Sequence, residues 1–360
     1  MLRPLMRVLV PSVMAWSFVA PASAQWTATN LNPGGSKASE ARAAGGSQQA
    51  GLVVTSERVR ASLWSQTADS WIDLDPAGSG GSAIFGISGA QQVGTAFVDG
   101  LNRASVWSGT AASWVDLNPD GSVESYGYAT NGSQQVGYAE VNLKRRASLW
   151  NGTAASWTDL EPAAGEGSTA FAISGGQQAG IAYVGNQVRA SLWAGTASSW
   201  VDLTPAGATE SYAYAASGTR QGGTATVGNV TRASLWSGTA SSWVDLNPLG
   251  TTGSGVFAMS DDLQVGYAFV GDQFRASLWR GSAESWVDLQ VFLPDTYLFS
   301  QALGVSSDGT NTYISGSAYN TLTGQTEAIL WTQPVPGPGA AALLGIGGLV
   351  AGRRKRAANP

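Results

Sequence analysis

A unit of 43 residues recurs through this chain in an unbroken register, and that period limits the possible folds more than any other property of the sequence. The motif R-A-S-[LV]-W ends at Trp64, Trp107, Trp150, Trp193, Trp236 and Trp279. A second motif, W-[VIT]-D-L, starts at Trp71, Trp114, Trp157, Trp200, Trp243 and Trp286. Between them an aromatic residue recurs at Phe85, Tyr128, Phe171, Tyr214 and Phe257, and a glycine at Gly94, Gly137, Gly180, Gly223 and Gly266. A longer rhythm is laid over the first: the units starting at Trp114 and Trp200 share ESY[GA]YA, and the intervening ones carry a Phe-containing version of that strand.

Each unit holds four candidate strands. From Trp114 they read SWVDL, SYGYAT, QQVGYAEV and RRASLW, separated by the turn-forming NPDGS and NGS and the polar NLK. RASLW-SGTAS-SWVDL reads as a hairpin over a short Gly-containing loop. Four antiparallel strands in this length make one propeller blade. The two ends of the repeat region complete the count. WTATNLNP, from Trp26, is a worn copy of the SWVDLNP half, and EAILW, ending at Trp331, is a worn copy of the RASLW half. Together they supply a seventh unit, which predicts an all-β, seven-bladed propeller over residues 25–333 whose last blade is closed by strands from both ends. Closure of this kind removes the open sheet edges that invite aggregation. The alternative is a β-solenoid, which would need capping elements instead of complementary halves.

Composition narrows the chemistry. The chain has no cysteine and no histidine, which excludes disulfides, thiolate nucleophiles, Cys/His zinc sites and imidazole acid–base catalysis. Charged residues are only 12% of the chain, with 47 Gly and 15 Trp, as suits short strands and tight turns.

The ends read as processing signals. Arg3 and Arg7, an apolar stretch over residues 8–20 and Ala22-Ser23-Ala24 predict a secretory signal peptide, cut by signal peptidase between Ala24 and Gln25. Residues 335–352 are uncharged, and Arg353, Arg354, Lys355 and Arg356 follow. A marginal apolar helix with a basic stop predicts a membrane-retention device with its cluster on the cytoplasmic side. The order of proline box, short apolar helix and arginine cluster resembles the PEP-CTERM sorting signal. The resemblance implies recognition by an exosortase-type processing enzyme and delivery to the cell envelope, cell surface or extracellular matrix. The box departs from that family's Pro-Glu-Pro, reading Pro336-Gly337-Pro338 over the final segment 334–360. Six of the 19 basic residues and none of the 24 acidic ones lie in these two ends, so the body carries 13 against 24, a net of −11. Such a surface repels nucleic acid and anionic lipid.

The wording of the unit resembles the HAF-repeat family of bacterial extracellular proteins, through Ser62-Leu63-Trp64, Asp73-Leu74, Gln92-Val93-Gly94 and their copies. It departs at that family's namesake triplet, where this chain has Arg-Ala-Ser. The resemblance implies export and a propeller, and it implies no particular activity.

Repeated Asp73, Asp116, Asp159, Asp202, Asp245 and Asp288 fall nearly opposite repeated Arg60, Arg103, Arg146, Arg189, Arg232 and Arg275 in the predicted hairpins, which makes them cross-strand ion pairs. The strictly periodic tryptophans are expected to pack between blades. The loops DPAGSGG, NPDGS and EPAAGEG, and the pair Asp261-Asp262, lack the alternating acid spacing of a calcium loop, and no metal or cofactor is expected. Glu124 and Glu210 occupy equivalent loops and are expected to be solvated. These readings predict a noncatalytic envelope or matrix protein, not an enzyme, that acts as a scaffold or binds polysaccharide or another surface protein. The alternative is a propeller hydrolase or lyase acting on envelope polysaccharide, with Asp295 and Asp308 of the divergent last unit as its first candidates.

Overall fold

The computed structural model describes residues 25–335. Ala24, the proline box at 336–338 and the basic cluster at 353–356 lie outside them, as does the apolar segment expected to hold the chain in a membrane. Among the described residues no helix is long and apolar enough to cross a membrane.

The protein is a seven-bladed β-propeller of four-stranded antiparallel sheets. Blades 1 to 6 span residues 38–73, 81–116, 124–159, 168–202, 208–245 and 254–288, and in each the four strands follow one another from the channel outward. Blade 7 takes its three inner strands from residues 297–334 and its outermost from Thr27–Asn30. That outermost strand pairs antiparallel from Thr27↔Thr332 to Asn30↔Ile329, so the ring is closed by strands from distant parts of the chain. A solenoid is thereby set aside. The outermost strands are shorter than SWVDL suggests: in blade 2 only Val115–Asp116 pairs, because a 3-10 turn, Ala111–Ser113, takes up the residues before Trp114.

Each innermost strand runs from what we call the upper face to the lower face. The outermost strand of blade 7 rises from the lower face and its neighbour descends to it. Trp26 and Val335 therefore both lie at the lower face, where the Val335 amide donates to the carbonyl of Thr310 at 2.8 Å.

Tryptophan makes the blade interfaces. Trp64, Trp107, Trp150, Trp193, Trp236, Trp279 and Trp331 are fully buried. Trp107 of blade 2 packs on Leu63 and Leu74 of blade 1, and the other copies repeat the arrangement. Burying a large apolar side chain contributes about 1.5–3 kcal/mol, and the contribution recurs at every interface. In blades 1 to 6 the second tryptophan of the unit is half-buried, and its indole N–H donates to the serine of the R-A-S motif, as Trp71 does to Ser62 Oγ at 2.9 Å.

A polar seam accompanies this packing at all seven interfaces. The backbone N–H of the R-A-S alanine donates to a serine on the next blade's innermost strand, as Ala104 does to Ser125 Oγ at 2.9 Å. In blade 3 that serine donates in turn to Asn118 Oδ1 at 2.6 Å. Where the acceptor is a buried acid, a basic residue stands beside it: Asp75 has Arg58 at 3.0 Å and Glu161 has Lys144 at 2.8 Å. Elsewhere the acceptor is neutral and the matching position is not basic. This correspondence follows from the cost of burying an unpaired charge.

Candidate functional site

Every innermost strand carries a β-bulge at the same depth, and those of blades 5 and 7 carry a second irregularity nearer the upper face. The pairing slips at Arg42, Phe85, Tyr128, Phe171, Tyr214, Phe257 and Leu303, one residue per blade. A bulge leaves one residue unpaired and re-aims its side chain, and here all seven line the central channel. The recurring glycine is the other half of this device. Gly137 lies opposite the bulge of blade 3, and a Cβ there would overlap the carbonyl of Tyr126. Gly51, Gly94, Gly180, Gly223, Gly266 and Gly316 meet the equivalent carbonyl in their own blades.

The result is an arc of five aromatic rings through blades 2 to 6. Successive centroids lie 5.4, 5.2, 5.3 and 5.8 Å apart from Phe85 to Phe257, with interplanar angles of 46–68°. These are the tilted and edge-to-face contacts that aromatic quadrupoles favour. Arg42 closes the arc on one side: its guanidinium lies 4.9 Å above the Phe85 ring and its Nε 2.8 Å from Glu40. Above the arc a cavity of about 460 Å³ opens at the upper face, bounded also by Glu40, Gln301 and Ser317. Toward the lower face the channel is lined by Ile87, Ile173 and Met259, then by small residues such as Ser88, Ser174 and Ser217. The upper mouth is thus aromatic and charged, the lower one small and hydroxylic.

Tyrosines extend the upper mouth outward. Tyr126 stacks on Tyr138 at 5.2 Å, and Tyr212 on Tyr214 at 5.5 Å. Glu124 accepts from Tyr138 Oη at 2.7 Å and from Arg145 at 3.3 Å, while the Arg145 guanidinium lies 4.8 Å from the Tyr138 centroid. Glu124 and Glu210 are therefore half-buried groups of the mouth rather than solvated loop acids.

Burial pushes the Tyr128 hydroxyl up to about 12. Burial, with the hydrogen bond to Glu124, pushes Tyr138 higher still, and burial raises Tyr214 in the same way. A raised tyrosine pKa means that the fold favours the neutral phenol. This stabilisation is complete below the unfolded value near 10 and is lost as pH climbs through the folded values. We expect resistance to urea to fall between about pH 10 and 12, with part of the tyrosinate absorbance appearing only on unfolding. A single titration completed near pH 10 in the folded protein would contradict this.

The periodic residues singled out from sequence lie elsewhere. The six Arg–Asp pairs, 2.5–2.8 Å apart, form in blades 1 to 6 on outer strands and stay partly exposed. Each aspartate also holds the turn into the next blade, as Asp116 Oδ1 accepts the Asn118 N–H at 2.7 Å. Asp308 caps an exposed turn, where the amides of Asn311 and Thr310 and the hydroxyl of Tyr313 hold its carboxyl below the usual range. Neither Asp308 nor Asp295 lines the channel cavities. Asp261 and Asp262 sit on the lower face beside Arg220, and among the described residues no cluster of three or more acids could hold a metal ion. The aromatic period was visible in the sequence, but its destination was not. A bulge depends on pairing across two strands, and nothing in the single strand announces it.

No protein-family model matches the chain, and no curated protein matches it. Solved propellers do. A puromycin hydrolase superposes with a TM-score of 0.55 at 12% identity, over 80% of this chain and 53% of its own. The β-propeller domain of the Trilobed protease from Pyrococcus furiosus, described as having an open velcro topology, gives 0.54 at 9% identity, over 84% of this chain and 98% of its own. An acylaminoacyl peptidase from Pyrococcus horikoshii gives 0.51 at 9% identity, over 83% of this chain and 52% of its own. This chain thus spans about half the length of the hydrolase and of the acylaminoacyl peptidase, and at such identities the likeness is one of fold. It still corrects the expectation of a protein that is not an enzyme: the same propeller occurs in a hydrolase and in peptidases. The absence of His and Cys removes imidazole and thiol chemistry, but it leaves the carboxylates and tyrosines of the mouth.

Proposed function

We propose that this is an exported propeller of the cell envelope or extracellular matrix that binds polysaccharide at the aromatic upper mouth of its channel. The observation that carries the reading is the ring of seven bulges. The architecture needs no such row of aromatic side chains to close, and it sets rings with accessible edges and faces beside a few fixed polar groups, the composition of ligand sites. The secretory leader and the PEP-CTERM-like tail support placement outside the cytoplasm, with signal peptidase and an exosortase-type enzyme as processing partners.

The test is affinity electrophoresis of the mature chain in gels containing matrix polysaccharide from the producing cells. Retardation is expected, and Tyr128→Ala with Tyr214→Ala should weaken binding about tenfold or more. Equal mobility with and without polysaccharide, or full binding by the double variant, would overturn the reading.

A second reading, a hydrolase or lyase acting on the same polysaccharide, is favoured by Glu40 and Glu124 standing at that mouth. It predicts release of reducing or unsaturated ends that Glu40→Gln or Glu124→Gln abolishes.

A further inference from the structure

Blades 3 and 5 share the ESY[GA]YA strand of the 86-residue rhythm, but at the upper mouth Tyr138, Glu140 and Arg145 of blade 3 are replaced by Thr224, Thr226 and Thr231 in blade 5. In blade 3, Glu124, Glu140 and Arg145 form one row across three strands. The row is occupied by a cation, since the Arg145 guanidinium sits against Glu124 at 3.3 Å, Glu140 at 3.9 Å and the face of Tyr138 at 4.8 Å. The same row in blade 5 reads Glu210, Thr226 and Thr231. The carboxylate is kept, with the tyrosine pair Tyr212 and Tyr214 stacked beside it at 12°. The basic residue is not kept. Glu210 accepts from Thr226 Oγ1 at 3.2 Å and Tyr212 Oη at 3.4 Å, and among the described residues no basic side chain reaches it. Thr226 and Thr231 share a hydrogen bond of 3.2 Å in the place of the guanidinium.

Blade 3 thus shows that the glutamate at this depth takes a cation, there with Glu140 and Tyr138 beside it, whereas in blade 5 Glu210 is the one carboxylate of the row. We infer that the Glu210 corner of blade 5 is a subsite for a cation supplied by the ligand, and that the polysaccharide bound at the mouth carries free ammonium groups, as an amino sugar does. The inference rests on the mouth being the polysaccharide site and names the sugar class it takes. Three features favour a cationic residue over a neutral or uronic one. The carboxylate accepts only neutral donors, so an ammonium adds a charge-assisted bond without displacing a partner. The tyrosine faces attract a cation, as the Phe85 ring already does with Arg42, although the ring that Arg145 meets in blade 3, Tyr138, is Thr224 in blade 5. The body, at −11, draws cations toward the site and repels polyanions.

The experiment titrates the mature chain with three short oligomers: glucosamine with free amino groups, its N-acetylated counterpart and galacturonate. Intrinsic tyrosine and tryptophan fluorescence reports binding. The glucosamine oligomer is expected to bind at least about tenfold more tightly than the N-acetylated one, with no detectable binding of galacturonate. Glu210→Gln should erase that preference. Thr231→Arg, which places a guanidinium in the row of Glu210 where blade 3 has Arg145, should do the same while leaving the carboxylate in place. The two variants act in opposite chemical directions, so agreement between them is not explained by misfolding, and unchanged thermal midpoints check this. Equal affinity for the amino and acetylated oligomers, unaffected by either variant, would sink the inference and leave the mouth as a polysaccharide site. Binding of polylysine without any oligosaccharide would replace both readings with a peptide site. Failure of all three sugars and of matrix polysaccharide would remove the mouth reading itself.

Discussion

Alanine in place of Gly137 should destabilise the propeller by about 3 kcal/mol or more, although it adds a single methyl group. The added carbon meets the backbone carbonyl of Tyr126 and not the end of a side chain that could turn away. Relief requires the innermost strand to separate from its neighbour or the bulge to flatten. Either change also withdraws Tyr128 from the channel, so urea stability and polysaccharide binding should fall together. Gly94→Ala and Gly223→Ala should behave alike in their own blades. Gly121→Ala is the contrast: its φ of +80° is strained for alanine, but nothing lies near the new carbon, so the cost should be nearer 1 kcal/mol. If Gly137→Ala and Gly121→Ala had the same urea midpoint, the bulge would not be what this glycine serves.

The glycine shows which features were legible before the structure. Its period, the tryptophan periods and the complementary half-units at the two ends were all plain, and they led to seven blades and a ring closed from both ends. Periodicity reports what every blade needs. The site depends on what the blades do differently, and on contacts between blades that a linear period does not encode. Phe85 and Tyr128 were seen as a repeat, but the channel they line is made by seven strands from seven units. Glu124 and Glu210 were placed in equivalent loops, whereas stacked tyrosines half-bury both and Arg145 reaches only one. From Ser39 to Ser254 the serine seam is spaced at the same period as the tryptophans, yet its partners are the alanine amide of one blade and the linker side chain before the next. Nor could the lack of histidine and cysteine decide against catalysis, since it leaves the carboxylates, and where each of these stands at the mouth is set by the blades.

The closing blade shows most clearly where the repeat is broken with a physical purpose. In blades 1 to 6 an arginine on the third strand pairs with an aspartate on the fourth, 13 residues later. In blade 7 the equivalent residues are Glu327 and Asn30, 297 positions apart, so the acid has moved to the other strand and the second charge is gone. Glu327 is 2% exposed and has no basic partner among the described residues. Its carboxylate accepts from Tyr297 Oη at 2.6 Å, Asn30 Nδ2 at 2.8 Å, Thr323 Oγ1 at 2.8 Å and Asn320 Nδ2 at 3.1 Å. In the other blades a short loop keeps the outermost strand near its partner. Here no loop does so, and these bonds from both parts of the chain hold the strand in addition to its backbone ladder. Glu327→Leu removes the acceptor of the buried Tyr297 hydroxyl and Asn320 amide, and with it the bond from Asn30, which should cost about 2–4 kcal/mol. The loss should appear first in the closing strand, as faster hydrogen exchange at the Thr27–Asn30 amides at a urea concentration that leaves blades 2 to 5 protected. Restoring the repeat pair with Glu327→Arg and Asn30→Asp should not rescue it, because a guanidinium would then face the amide of Asn320 and the hydroxyl of Thr323, which now donate. If that double variant matched the parent in stability and in exchange, the strand ladder alone would be closing the ring, and the buried carboxylate would be incidental to it.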